Sequence, residues 1–215
     1  MNQKLIKVCG MRQSDNIRAV EALGIHWMGF IFWAGSSRYV AAPPSYLPVR
    51  CKRVGVFVDA SIDTVLTHIS DYGLDAVQLH GQEAPDYLRQ LRSRCQANSN
   101  HTEVPCIIKA FSIATTADLA PTSKYEDCAD LYLFDTKGNS IGGTGRQFNW
   151  KLLDNYAGPT PFLLSGGIGP EDACPIHQFS HPRCIGIDLN SRFELAPGLK
   201  DIQRLQSFIK QYEQD

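Results

Sequence analysis

Three short stretches of this chain carry groups that can move a proton or hold an anion where the backbone turns: "KVCGM", "LYLFDTKG" and "LLSGGIGPED". Cys9 ends an apolar run directly before Gly10. A cysteine in an apolar strand is most often inert packing. At a strand end, a neighbouring cation or dipole can lower its pKa and make the thiolate a general base. Asp135 also ends an apolar run, and a carboxyl group with a raised pKa complements such a base as a general acid. Gly166 and Gly167 let the backbone approach a ligand, and N–H groups at a helix start attract phosphate. Taken alone, the two glycines better describe a turn ahead of a helix beginning near Pro170, because glycine is the default turn residue.

Regular elements must bring these distant residues together. Mostly apolar, β-branched runs predict strands at 5–9, 27–32, 53–58, 75–80, 105–111, 130–135, 161–165 and 184–189. They are continuous rather than alternating, as in parallel strands covered by helices. Helical spacing appears between them. Ser14 is a candidate cap for a helix carrying Ile17, Val20 and Leu23, with Gly24 at its end. Ser61 and Gly73 bracket a second, with Ile62, Val65, Leu66 and Ile69 on one face. Tyr87, Leu88 and Leu91 mark a third, and Ile202, Leu205, Phe208, Ile209 and Tyr212 the last. About eight βα repeats predict a parallel α/β fold, most simply a closed (β/α)8 barrel forming a single domain over 1–215. A doubly wound open sheet is the alternative. The polar stretch 93–104 reads as a surface insertion. The loop 136–149, with four glycines within eight residues, reads as a lid over a ligand.

In such a barrel the reacting groups occupy the C-terminal strand ends and the loops that follow. That rule selects Cys9, Arg38, Asp59, His80, Asp135, Ser165, Asp188 and Asn190. Asp59 precedes "ASIDT" and reads as part of a helix start, so it is set aside. The loops after the seventh and eighth strands, "SGGIGPED" and "DLNSRFE", stand where barrels often bind phosphate. These residues alone point to an isomerase or lyase acting on a phosphorylated small molecule. Net charge is -1, which leaves no basic footprint for nucleic acid or an anionic membrane. No targeting segment or run of about 18 apolar residues occurs, so the expected location is the cytosol. The seven cysteines are widely and irregularly spaced. Free thiols, mostly small core residues, fit better than disulfides or zinc.

Taken together, "KVCGM", "GFIF" with "SSRYV", "VQLHG", "IIKAF", "LFDTKGNSIGGTGRQFNW", "PFLLSGGI" and "GIDLNSRFELAPGLKD" resemble the phosphoribosylanthranilate isomerase family along the whole chain. The resemblance implies a (β/α)8 barrel, usually monomeric, and no cofactor or metal. It implies an Amadori rearrangement of N-(5-phosphoribosyl)anthranilate to the 1-deoxyribulose 5-phosphate in tryptophan biosynthesis. Cys9 then matches the general base and Asp135 the general acid. Arg38 matches the holder of the anthranilate carboxylate. Gly166, Gly167, Asn190 and Ser191 match the phosphate site, and Asp188 lies near the sugar hydroxyls. His80 matches a histidine with either a structural or a substrate-binding role. Two departures stand out: Ser36-Ser37-Arg38 replaces a common "SPR", and Arg192 stands where many members have glycine. A glycine at positive φ there predicts strain for Arg192, a reshaped loop, or an added charge contact to phosphate. The related aminoaldose isomerisation of histidine biosynthesis is the nearest rival, but that family tends to use aspartate as both base and acid. A non-catalytic phospholigand-binding barrel would need neither Cys9 nor Asp135.

Overall fold

A computed structural model describes residues 5–97, 104–137 and 147–214. The chain order is β1 (Leu5–Val8), α1 (Ser14–Glu21), β2 (Trp27–Ile31), β3 (Lys52–Phe57), α2 (Ile62–Tyr72), β4 (Ala76–Leu79), α3 (Pro85–Ala97), β5 (Cys106–Ile113), β6 (Leu131–Thr136), β7 (Phe162–Leu164), α4 (Ala173–Gln178), β8 (Cys184–Leu189), β9 (Glu194–Ala196), β10 (Leu199–Lys200) and α5 (Ile202–Glu213). Strands β1 to β8 pair in parallel in sequence order, and β1 pairs with β8 to close the barrel. The small β9–β10 hairpin stands apart from the sheet. Each predicted strand is present to within two residues at its ends.

The outer ring is less regular than eight helices. No α-helix follows β2, β5 or β6 among the described residues. After β2 the chain carries Pro43, Pro44 and Pro48, whose missing N–H groups and fixed φ break a helical ladder. After β5 a 3-10 segment, Thr116–Tyr125, holds Pro121. After β6 a second, Trp150–Asn155, stands in. The 93–97 part of the expected insertion is the last turn of α3, with Cys95 buried; residues 98–103 lie outside the described residues. Ser61 does cap α2, accepting from the Thr64 N–H at 3.1 Å, and Gly73 ends it with φ 55°. Ser14 is not a cap: Gln13 occupies that position without a side-chain bond, and Ser14 Oγ meets Ser45 Oγ at 2.8 Å.

Alternation along the strands sorts side chains into two cores. Trp27, Val54, Ala76, Ile108, Leu131, Leu133 and Leu163 pack inside the barrel. Ile6, Val8, Met28, Phe30, Val77, Leu79, Phe134 and Leu164 face the helices, where Ile17, Val20, Leu88, Leu91 and Phe208 meet them. Burial on both faces is why the strands read as unbroken apolar runs. No described helix is long and apolar enough to cross a membrane.

Candidate active site

Inward positions two residues apart supply the floor and walls of a pocket at the C-terminal mouth. Leu5, Lys7 and Cys9 share the inward face, which alternation in the sequence left undecided. Cys9 is 3% exposed, and its N–H donates to the Leu189 carbonyl at 2.9 Å. Gly10 follows at φ 80° and turns the chain away. Its missing side chain also makes room: a Cβ there would lie 2.7 Å from Arg38 Cδ and 2.8 Å from Asn190 Oδ1. Gly29 on β2 does the same for the thiol, since a Cβ there would meet Cys9 Sγ at 2.6 Å.

The pocket brings together Cys9, Arg38, His80, Asp135, Ser165, Gly166, Gly167, Asp188, Asn190 and Ser191. All the site residues selected from sequence therefore share one cavity, and Asp59 does not line it. Asp59 is not the cap of α2. It sits at φ 49°, donates its N–H to Glu83 Oε1 at 2.9 Å and accepts from the Gln82 N–H at 2.6 Å, tying the end of β3 to the loop after β4.

The walls differ in chemistry. Ile31, Trp33, Val56 and Val58 make one side apolar, with Arg38 beside them. His80, Asp135, Ser165 and Asp188 make the other polar. Asp135 Oδ1 accepts from the Thr136 N–H at 2.8 Å, and Oδ2 lies 3.4 Å from His80 Nε2. Gly166 passes close by at φ 89°, where a Cβ would lie 2.9 Å from Asp135 Oδ1. Gly167 follows at φ 68°. The next turn begins at Pro170, with α4 from Ala173, so the glycines both turn the chain and border the pocket.

The lysine beneath the pocket was not selected from sequence. Lys7 is fully buried and donates to Asp188 Oδ1 at 2.8 Å; Ser165 Oγ donates to Asp188 Oδ2 at 3.3 Å. A lysine inside an apolar run buried on both faces was itself the signal, since such a charge needs a partner. Burial opposes the Lys7 charge, but Asp188 and Cys9 outweigh it and raise its pKa. Burial pushes the Cys9 thiol up; the Lys7 and Lys200 cations oppose this without reversing it. Desolvation thus exceeds the cations' pull, and the lowering that a neighbouring cation can bring does not prevail here.

Arg38 is held by Glu194, which sequence reasoning also missed. Its Nε donates to Oε1 at 2.9 Å and its Nη2 to Oε2 at 2.7 Å. Lys200 Nζ donates to Glu194 Oε1 at 2.7 Å and to Asn190 Oδ1 at 2.8 Å. Burial works against the Glu194 carboxylate, but these two cations keep its pKa low. The Nη1 side of Arg38 bonds no described residue. Arg192 shows no strain: it lies in a 3-10 turn, Ser191–Phe193, and Asp59 is the one non-glycine residue at positive φ among those described. Its guanidinium pairs with Glu171.

Cys9, Cys95 and Cys128 are buried, Cys51, Cys106 and Cys184 half-buried, and Cys174 exposed. Fewer are core residues than composition implied. The glycine-rich stretch expected to act as a lid lies largely at 138–146, outside the described residues.

Comparison with known proteins agrees with this geometry. The family model for N-(5'-phosphoribosyl)anthranilate isomerase matches residues 6–211. The N-(5'-phosphoribosyl)anthranilate isomerase of Phocaeicola vulgatus is 47% identical over 210 residues, covering 98% of each chain. The crystal structure of phosphoribosyl anthranilate isomerase from Thermus thermophilus superposes with TM-score 0.80 at 28% identity, covering 96% of this chain and 97% of that one. A phosphoribosyl anthranilate isomerase in complex with reduced 1-(o-carboxyphenylamino)-1-deoxyribulose 5-phosphate matches with TM-score 0.77 at 27% identity, covering 98% and 99%. A dimeric phosphoribosylanthranilate isomerase from Thermotoga maritima, solved as generated monomers, matches with TM-score 0.77 at 26% identity, covering 98% and 99%. A closed parallel barrel, a thiol and a carboxyl group across one mouth, and similarity over nearly the full length lead to one assignment: the chain belongs to the N-(5'-phosphoribosyl)anthranilate isomerase family of tryptophan biosynthesis.

Proposed function

We propose that Asp135 is the general acid and Cys9 the general base of the Amadori rearrangement. Asp135 gives a proton to the ribose ring oxygen, the C1–O bond breaks, and the anthranilate nitrogen lone pair forms an iminium at C1. Cys9 takes the C2 proton, the C2–H electrons form the enolamine C1=C2 bond, and the C1=N π electrons return to nitrogen. Loss of the C2 hydroxyl proton and protonation at C1 complete the aminoketose.

The observation that carries this reading is the placement of both groups on one pocket with an apolar and a polar side. The apolar side suits an aromatic ring and the polar side a sugar. Burial raises the pKa of the Cys9 thiol. The cationic iminium adds positive charge beside it, which favours the thiolate at the step that uses it. The uncommitted edge of Arg38 suits the anthranilate carboxylate, because one guanidinium can serve two carboxylates on different edges. Gly166, Gly167, Asn190 and Ser191 bind the phosphate, and His80 and Asp188 border the sugar. Every assigned group comes from one barrel, which supports a monomer as the working unit; a dimer found by light scattering would overturn that part.

Fluorescence assays of phosphoribosylanthranilate consumption test the roles. Cys9→Ala and Asp135→Asn should each lower kcat by about 10²- to 10⁴-fold with the fold intact. Near-normal turnover in either variant removes that residue's role.

A further inference from the structure

Gln78 sits one strand position below His80 on the inward face of β4. It is 1% exposed and lines the pocket. Its Nε2 lies 2.9 Å from His80 Nδ1, and its Oε1 has no hydrogen-bond partner among the described residues. An amide nitrogen only donates, so His80 Nδ1 must accept, and the hydrogen of a neutral ring then lies on Nε2. That nitrogen stands 3.4 Å from Asp135 Oδ2. With the amide so placed, a neutral imidazole turns an N–H toward Asp135.

We propose that Gln78 is a positioning residue: its amide selects the His80 tautomer that faces Asp135, and its Oε1 accepts a hydrogen bond from a sugar hydroxyl of the substrate. The second half follows from burial. An acceptor removed from water without a partner is unfavourable, and Gln78 is among the residues that line the cavity assigned to a polyhydroxyl ligand. The two halves are coupled. With Nε2 toward His80, the ring presents N–H to an ionised Asp135 and Oε1 is left for the ligand. With the amide turned over, Oε1 takes a hydrogen from Nδ1, and His80 Nε2 becomes an acceptor for a protonated Asp135. A hydroxyl on Oε1 holds the first arrangement, the one suited to Asp135 after it has released its proton. The proposal rests on Asp135 as the acid, but the ring tautomer can be read without turnover.

Imidazole nitrogen NMR on the ligand-free protein tests the first half, with the His80 signals identified by their loss in His80→Asn. In wild type the neutral form of the ring should carry its hydrogen on Nε2. Gln78→Glu, nearly the same shape, offers only an acceptor and should move hydrogen to Nδ1. Gln78→Leu should remove the preference and weaken binding of reduced 1-(o-carboxyphenylamino)-1-deoxyribulose 5-phosphate by about tenfold. An unchanged His80 tautomer in Gln78→Glu overturns the proposal, as does unchanged analogue affinity in a folded Gln78→Leu protein. A wild-type ring with hydrogen on Nδ1 also overturns it. If Asp135→Asn retains turnover while these shifts occur, the acid assignment fails and the tautomer control stands.

Discussion

A single methyl group at position 29 is a small change with a direct line to the thiol. Gly29 leaves room for Cys9 Sγ, and its carbonyl accepts the N–H groups of Gly10 and Met11, both at 3.0 Å. Gly29→Ala should therefore displace the thiol and lower kcat by about tenfold or more, since small misplacements of reacting groups are costly. Steady-state kinetics beside a thermal melt separates that effect from general destabilisation. Cys9 and Asp135 were legible because they end apolar runs. Gly29, Gln78 and Glu194 were not, because their roles come from contacts between strands, or between a loop and an outlying hairpin. Lys7 was half legible: its charge inside "LIKVC" demanded a partner, but nothing local named Asp188.

At the scale of elements, the strands followed from pattern and the outer helices did not. Continuous apolar runs identify strands buried on both faces, whereas Pro43, Pro44 and Pro121 override the expectation of a covering helix. The 3-10 segment after β5 depends on a carboxylate in its first turn. Asp118 accepts from the Ala114 and Thr115 N–H groups at 3.0 and 2.8 Å and pairs with Lys137 at 3.0 Å. Partial burial opposes the carboxylate, but these bonds dominate and bring its pKa from 3.8 down to about 2. A lowered folded-state pKa contributes stability above the unfolded value and loses it as pH falls. Wild type should lose this contribution between pH 3.8 and about 2. Asp118→Asn should flatten that part of the curve. Solvent screening holds the effect to at most about 1 kcal/mol, readable from urea midpoints against pH.

At the scale of the molecule, one buried ion pair joins the first strand to the last. Lys7 and Asp188 face each other in register across the β1–β8 seam. Lys7→Met should destabilise the fold by about 3–5 kcal/mol, because it leaves a buried carboxylate without its partner. Adding Asp188→Leu should restore much of the stability without restoring turnover. Urea denaturation and kcat measured on the single and double variants check both halves. Equal stability of single and double variants would show that the loss lies in packing rather than in charge.

The same seam imposes a timetable on synthesis. The thiol leaves the ribosome at the end of the barrel's first strand, while Asp188, Asn190, Glu194 and Lys200, which anchor its surroundings, belong to the barrel's last strand and the segment after it. Domains generally fold as units, and non-local pairings close late. A nascent chain must therefore carry an unmatched Lys7 and an unclosed strand edge until β8 arrives. Stalled or truncated products lacking β8 should be inactive and prone to associate through that edge.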